Sequence, residues 1–138
     1  ISGEFVSNKG RLPWPVDKGT VVSRFGANSH PVLSNITTQN SGVDISSYKG
    51  ANARAVYEGV VQQVMVISGN GKSVLVKHGS YFSVYTNLSS VSVSKGDVVK
   101  RGQSLGIIYT NGDGETVMNF QVWSGTTKQN PALWVAGM

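Results

Sequence analysis

The chain has 138 residues, of which 39% are hydrophobic and 14% charged, with 17 glycines, no cysteine and a net charge of +5. This length fits a single domain with one core, and the many Val, Ile and aromatic residues exclude an intrinsically disordered chain. The lack of cysteine excludes disulfides, thiolate catalysis and zinc fingers, no apolar run approaches the ~18 residues of a membrane-spanning helix, and the scattered lysines and arginines do not indicate nucleic-acid binding.

Residues 1–19 are predicted to form an extended segment that packs on the domain formed by residues 20–138. In "GRLPWPV", Pro13 and Pro15 flank Trp14. Because proline donates no hydrogen bond to a sheet, this segment cannot enter a central strand, and we expect Trp14 to anchor it. Since the chain begins at Ile1 rather than Met, we also expect it to be a processed or excised piece of a longer protein.

The rest of the chain contains short runs rich in β-branched residues, with almost no helical periodicity. The stretch "SGNGKS" at 68–73 predicts a hairpin turn, because Asn and Gly accept positive φ, and "NGDG" at 111–114 predicts a second turn. We interpret residues 90–102 as irregular connection. Such strands without intervening helices favour an antiparallel β-sandwich or barrel. The predicted strands are 20–24, 42–45, 53–56, 59–68, 73–78, 82–87, 104–109 and 117–123.

The last predicted strand carries an unusual polar face. Residues two apart on a strand point to the same side, so Asn119 and Gln121 share a face with Val117. One interpretation is a wet strand face that tolerates carboxamides. The other is the floor of a binding groove.

A resemblance to a known family favours the groove. The glycine rhythm of "VSKGDVVKRGQSLG" is found in lipoyl and biotinyl carrier domains and in zinc peptidases of the LytM (lysostaphin) type. A carrier needs an exposed lysine at a hairpin tip, usually beside methionine, and Lys72 lacks those flanks. The chain resembles the LytM type over residues 10–134, which implies that family's all-β fold, the duplicated hybrid motif. The pieces that carry the resemblance, in order, are "SRFGANSHP", "NSGVDI", "GVVQQV", "VLVKHGSYFSVYTNLS", the glycine-rich stretch, "MNFQV" and "NPALWV".

The resemblance also implies a site from which the working residues have been lost. LytM-type peptidases carry H-x-G-x-D, H-x-H and one further histidine around a zinc ion with three protein ligands. Here Asn40 replaces the first histidine and only Asp44 is kept. Val117 and Asn119 replace H-x-H, Asn87 replaces the remaining histidine, and Gln121 stands where a glutamate is usual.

We therefore expect neither catalysis nor a metal or other cofactor. A carboxamide is a poor zinc ligand and valine provides no lone pair. The chain's two histidines are interpreted as structural: His78 packs a turn at a strand end, and His30 lies in a loop. A metal site rebuilt around either of them is the alternative. Trp14 and Trp134 are expected in the core or as a lid.

Among degenerate LytM domains, the chain is similar to the murein hydrolase activators of the EnvC and NlpD kind, with "GRLPWPV" and "NPALW" resembling EnvC. This implies a periplasmic or cell-envelope protein that binds a zinc-dependent N-acetylmuramoyl-L-alanine amidase and relieves its self-inhibition during cell division. An upstream coiled coil would contact the membrane division machinery. Alternatives are a peptidoglycan-binding module without an enzyme partner, a surviving metallopeptidase and a structural element. The predicted groove comprises Asn40, Asp44, Tyr85, Asn87, Val117, Asn119 and Gln121.

Overall fold

A computed structural model describes residues 2–29, 37–66 and 71–138. In the described residues the chain begins with one helix, continues as twelve strands and ends with a short 3₁₀ helix at Pro131–Leu133. No helix in the described ranges is long and apolar enough to cross a bilayer. The elements are α1 (Ser2–Ser7), β1 (Thr20–Ser23), β2 (Gly26–Ser29), β3 (Thr37–Asn40), β4 (Val43–Ser46), β5 (Asn52–Arg54), β6 (Gly59–Val66), β7 (Lys72–His78), β8 (Tyr81–Val91), β9 (Val98–Val99), β10 (Ser104–Ile108), β11 (Val117–Ser124) and β12 (Thr127–Gln129).

The strands form one large antiparallel sheet and one small one. The main path of the large sheet runs β1-β4-β11-β8-β7-β6-β9, β12 pairs with β11, and β10 pairs with both β5 and β8. Strands β2 and β3 form the second sheet. The predicted antiparallel all-β class is confirmed, and each of the eight predicted strands is present with shifted ends. The predicted hairpin is also confirmed by the β6–β7 pairing, although residues 67–70 lie outside the described ranges.

Strand β8 changes partners at Asn87. Before this residue β8 pairs with β7 and β11. After it, Leu88 still pairs with Lys72 of β7, and the other partner of β8 becomes β10. Lys72 faces Leu88 and Ser73 faces Thr86, so Asn87 is the extra residue of a β-bulge. Its φ of 80° lies in the left-handed region, which asparagine tolerates better than most residues. The bulge bends β8 and orients the Asn87 side chain towards β11.

Alternation along the strands separates a core face from an outer face. On β4 and β11, Ile45, Met118, Phe120 and Val122 are fully buried. The intervening residues, including Asn119, are half-buried on the opposite face. Since successive strand residues point to opposite sides, this parity determines which side chains can share a site.

The prediction of an extended N-terminal segment is wrong for its first residues, which form α1. The helix is held by Phe5, whose buried ring stacks on His78 at 4.6 Å and on Trp134 at 5.0 Å between centroids. A six-residue helix is not stable alone, so this tertiary contact selects it. Further on, the Trp14 indole N–H donates to the Ala136 carbonyl at 2.9 Å, which confirms Trp14 as an anchor. Trp134 is buried in the core, as expected.

Four strands were not predicted from the sequence. Strands β2, β3 and β12 consist of polar and small residues, and β9 has only two residues. The interpretation of residues 90–102 as irregular is therefore wrong at β9 and at residues 90–91, which end β8. These strands lack an apolar alternation and form because neighbouring strands provide partners.

His78 is a buried structural residue at the end of β7, in agreement with its interpretation from sequence; His30 lies outside the described residues. The Nδ1 atom of His78 lies 2.8 Å from the Glu58 carbonyl oxygen, and the Nε2 atom of His78 lies 2.8 Å from the Ser83 hydroxyl oxygen. A carbonyl only accepts, so Nδ1 carries the proton of the neutral ring and Nε2 accepts from Ser83. Burial lowers the pKa of His78 to about 4.

Acidification should therefore destabilise the domain through His78. In the unfolded chain this histidine titrates near about 6.5, so between about pH 6.5 and 4 the unfolded state binds more protons. The stability contribution is complete above that window and is lost as pH falls through it. Between pH 7 and pH 5 the free energy of unfolding should fall by roughly 2 kcal/mol on this account.

Denaturant titrations at both pH values measure this loss. His78→Gln should reduce the difference between the two pH values to the part contributed by carboxylates. His30→Gln, which removes the other histidine, should keep the wild-type difference. Equal pH dependence in the wild type and in His78→Gln contradicts the prediction.

Candidate functional site

Three of the predicted groove residues meet at one point on the outer face. The Asn119 side-chain amide donates to the Asp44 carboxylate at 2.8 Å and to the side-chain carbonyl oxygen of Asn40 at 3.0 Å. Asn119 and Asp44 are direct partners in the β11–β4 register. Asn40 ends β3 and reaches them across a turn. The structure thus brings together residues that are up to 79 positions apart in the chain.

The turn between β3 and β4 makes this convergence possible. A straight strand would place residues four apart ~13 Å from each other. Instead, the Asn40 side-chain carbonyl accepts a hydrogen bond from the Gly42 amide at 3.0 Å and closes the turn. Gly42 is required here because a Cβ atom would overlap the Phe120 carbonyl oxygen of β11. The chain is therefore broken between β3, which ends at Asn40, and β4, which begins at Val43.

A chain of side-chain hydrogen bonds continues from this point along β11. The Trp123 indole N–H donates to the Gln121 carbonyl oxygen at 2.8 Å, and the Gln121 amide donates to the Asn119 carbonyl oxygen at 2.9 Å. An indole only donates and a carboxylate only accepts, so the two ends determine the orientation of every amide between them. We call Asn40, Asp44, Asn119, Gln121 and Trp123 the amide relay.

These residues do not fit the zinc ion that the LytM resemblance implies. Such a site needs three anionic or imidazole ligands, and of the three converging residues only Asp44 is one. The Asn119 NH₂ group lies between the oxygens of Asp44 and Asn40, where a cation shared by them would have to lie. An amide nitrogen has no lone pair to give to a metal. Within the described ranges no three His, Asp or Glu residues cluster in a way that could hold a metal.

Asn87 and Val117, at one end of the predicted groove, are adjacent to each other. The Asn87 side chain donates to the Val117 carbonyl at 2.7 Å, across from the bulge in β8 to the first residue of β11. Both side chains are half-buried. Val117 shares its face with Asn119, so it extends the floor of the groove with an apolar side chain.

The assignment of Tyr85 to the groove is wrong. Its neighbour Thr86 pairs with Asn119 and faces outward, so Tyr85 points into the core, where it is fully buried and packs against Phe120. The Tyr85 hydroxyl accepts from the Val56 amide at 3.0 Å and donates to Ser83 at 2.9 Å. Burial raises the pKa of Tyr85 to about 12.

An apolar depression next to the amide relay was not found from the sequence. It has a volume of about 400 Å³, and we call it the outer-face groove. The available signal was in "YFSV", where Phe82 and Val84 have the same parity as Thr86 and so must face outward. The main lining side chains are Met65, Leu75, Phe82, Val84, Gln121 and Trp123.

Comparison with known proteins identifies the family. Residues 38–131 match peptidase family M23. The chain belongs to peptidase family M23. Its similarity to the LytM type, inferred above from seven short motifs, is confirmed by this match. The carboxamides at positions 40 and 119 make it a degenerate member.

Relatives of this M23 domain include two proteins named for envelope processes. It is 29% identical over 124 residues to the murein hydrolase activator NlpD of Salmonella dublin, covering 88% of this chain and 30% of that protein. It is 29% identical over 133 residues to the cell division protein DipM of Caulobacter vibrioides, covering 91% and 20% respectively. The chain spans less than a third of the length of these curated relatives.

The solved structure of a peptidase has the same fold. A zinc-containing peptidase from Vibrio cholerae superimposes with a TM-score of 0.74 at 25% identity, over 90% of this chain and 40% of that one. The scaffold of a zinc peptidase is thus retained in a chain whose converging polar residues are hydrogen-bonded to one another.

Restoring two histidines should restore a metal site. In the double variant Asn40→His, Asn119→His, two imidazoles and Asp44 supply three protein ligands and leave a fourth position for water. We expect one Zn²⁺ per chain at micromolar protein concentration, measured by elemental analysis and calorimetric titration, and none in the wild type. Adding Asp44→Ala to the double variant should abolish zinc binding. A folded double variant that binds no zinc would show that these positions do not correspond to the ligand positions.

Proposed function

We propose that this M23 domain is a non-catalytic activator of a cell-wall N-acetylmuramoyl-L-alanine amidase in the cell envelope, acting while peptidoglycan is split during cell division. The observation that carries the proposal is the amide relay at the ligand positions. The names of its relatives, a murein hydrolase activator and a cell division protein, support the same function.

The side chains of the predicted groove are not suited to catalyse hydrolysis. A metallopeptidase needs a metal-bound water and a base or acid beside it. Asp44 accepts a hydrogen bond from Asn119, and the residues at the other working positions, Asn87 and Val117, have no titratable group. We infer that the domain does not cleave peptide bonds.

The same features favour binding. The relay is held at both ends, so the groove floor is rigid and uncharged apart from Asp44. A preorganised surface loses little conformational entropy when a partner docks. Val117 adds an apolar contact at one end, and Asn87 is held in place by its hydrogen bond to β11.

Activation then follows from a shift of populations in the amidase. An amidase that is inhibited by its own segment exists in closed and open states. An activator can only favour the open state through a higher affinity for it. The degenerate groove would supply that affinity by holding the displaced segment, and no chemical step by this domain is required.

The proposal predicts that this domain stimulates a cognate amidase without hydrolysing peptidoglycan itself. Release of dye from labelled sacculi, with amidases of the same organism and the domain added separately and together, is the measurement. Val117→Glu should reduce stimulation about tenfold or more, because a carboxylate buried against a partner without a counterion is strongly unfavourable. Asn119→Lys should have the same effect.

The matched control is Val98→Glu, which introduces the same charge at a position on β9 that is 67% exposed. It should stimulate like the wild type. Normal activation by both groove variants would contradict the groove assignment, and stimulation of no amidase would contradict the function.

The net charge of +5 favours a second candidate, a module that binds anionic peptidoglycan directly. Sedimentation with purified sacculi, without any effect on amidases, would support it.

A further inference from the structure

The outer-face groove lies in the middle of the sheet and continues the amide relay. In the strand register, Trp123 is opposite Phe82, and Gln121 is opposite Val84. Val84 is in turn opposite Leu75 of β7. The side chains are half-buried, so they form a recess rather than a ridge. Because Gln121 and Trp123 belong to both features, a partner held at the relay would also meet this recess.

The backbone of the central strands of the groove excludes an added strand. The central strands of the groove, β7, β8 and β11, each pair with neighbours on both sides; they carry Leu75, Phe82, Val84, Gln121 and Trp123. A segment lying across them finds no sheet edge with which to pair. It must satisfy its own backbone hydrogen bonds, which a helix does. An amphipathic helix in a groove inserts apolar side chains spaced three or four residues apart.

The polar groups of the groove are poorly suited to a glycan. Sugar recognition needs hydrogen bonds from the site to several hydroxyls. The Trp123 N–H donates to Gln121, and the Gln121 amide donates to Asn119. The other main lining side chains are those of Met, Leu, Phe and Val. The recess therefore offers mainly apolar contact, which suits large aliphatic or aromatic side chains.

Lysines flank the two aromatic rings on both sides. Lys128 of β12 is opposite Trp123, and Lys77 of β7 is opposite Phe82, so the order across four strands is Lys, Trp, Phe, Lys. Both lysines are exposed. The Lys128 ammonium lies 3.4 Å from the Ser41 hydroxyl, beside the turn that carries Asn40. A complementary ligand carries acidic residues on either side of its apolar anchor.

We propose that the outer-face groove is the docking site for an acidic amphipathic helix of a protein partner, which inserts large apolar side chains between Lys77 and Lys128. The identification of this helix as part of an amidase rests on the proposed function. The chemistry of the helix is inferred from the apolar floor of the outer-face groove and from the two lysines. It does not depend on which protein carries the helix.

A designed peptide pair tests the groove directly. The probe is a helical peptide with leucines four residues apart and glutamates on both flanks, titrated into the ¹⁵N-labelled chain. It should shift the Trp123 indole N–H signal and the backbone amides of Leu75 and Val84. A peptide with the same leucines and lysines on its flanks should bind roughly three- to tenfold more weakly, as expected for two exposed ion pairs.

Substitutions then assign the contacts. Leu75→Asp should abolish the shifts, whereas Leu75→Met, which conserves volume, should retain them. The pair Lys77→Glu, Lys128→Glu should reverse the preference between the two peptides, and the matched pair Lys95→Glu, Lys100→Glu in exposed loops should not. Shifts confined to other residues, equal binding of both peptides, or larger shifts at these residues with N-acetylglucosamine oligomers would overturn the proposal. So would a dimer of this chain that Leu75→Asp dissociates.

The amidase assay separates this inference from the proposed function. If the wild type stimulates an amidase and Leu75→Asp stimulates it equally, the docking proposal is wrong and the activator function stands. If no amidase is stimulated but the acidic peptide binds at Leu75 and Trp123, the activator function is wrong and the docking site stands. Loss of stimulation in Leu75→Asp, with an unchanged melting temperature, supports both.

Discussion

The hydrogen bonds that one amide group makes to two side-chain oxygens organise the outer face of this domain. The Asn119 NH₂ donates to Asp44 and Asn40 and thereby joins β11 to β4 and to the end of β3. The Asn119 side-chain carbonyl accepts from the Gln121 amide, and the Gln121 side-chain carbonyl accepts from the Trp123 indole N–H. Each of these bonds determines the orientation of the next amide. The carboxylate of Asp44 is half-buried, and such a donor offsets the cost of its partial removal from water. In this chain the Asn119 NH₂ group lies between the oxygens of Asp44 and Asn40, where a cation shared by them would have to lie.

A second directed chain of hydrogen bonds lies on the other side of β8. The Val56 amide donates to Tyr85, Tyr85 donates to Ser83, and Ser83 lies beside the neutral ring of His78. Phe5 of the N-terminal helix stacks on that ring. One strand therefore separates an inner network, which holds the N-terminal segment, from the outer groove. At its bulge, the Asn87 side chain donates to the Val117 carbonyl of β11.

This arrangement explains how the M23 scaffold forms without histidines at positions 40 and 119. The close approach of the turn at Gly42 to β11, the register of β4 with β11 and the bulge in β8 are backbone features. They do not depend on imidazoles at positions 40 and 119, because carboxamides satisfy the same polar surroundings without charge. What remains is a rigid recess with an apolar extension and two flanking lysines, and these properties suit recognition of a protein segment.

The sequence by itself determined the antiparallel class, the eight apolar strands, the family and the meeting of Asn40, Asp44 and Asn119, since these follow from period-two alternation, turn residues and motif order. It did not determine α1, whose contacts with His78 and Trp134 lie far away in the chain, or the polar strands, which lack an apolar alternation. Tyr85 was misplaced because a change of one residue moves a side chain to the other face. The lysine-flanked groove depended on the register of four strands, which only the tertiary structure decided, because cross-strand neighbours are set by packing and bulges rather than by local sequence.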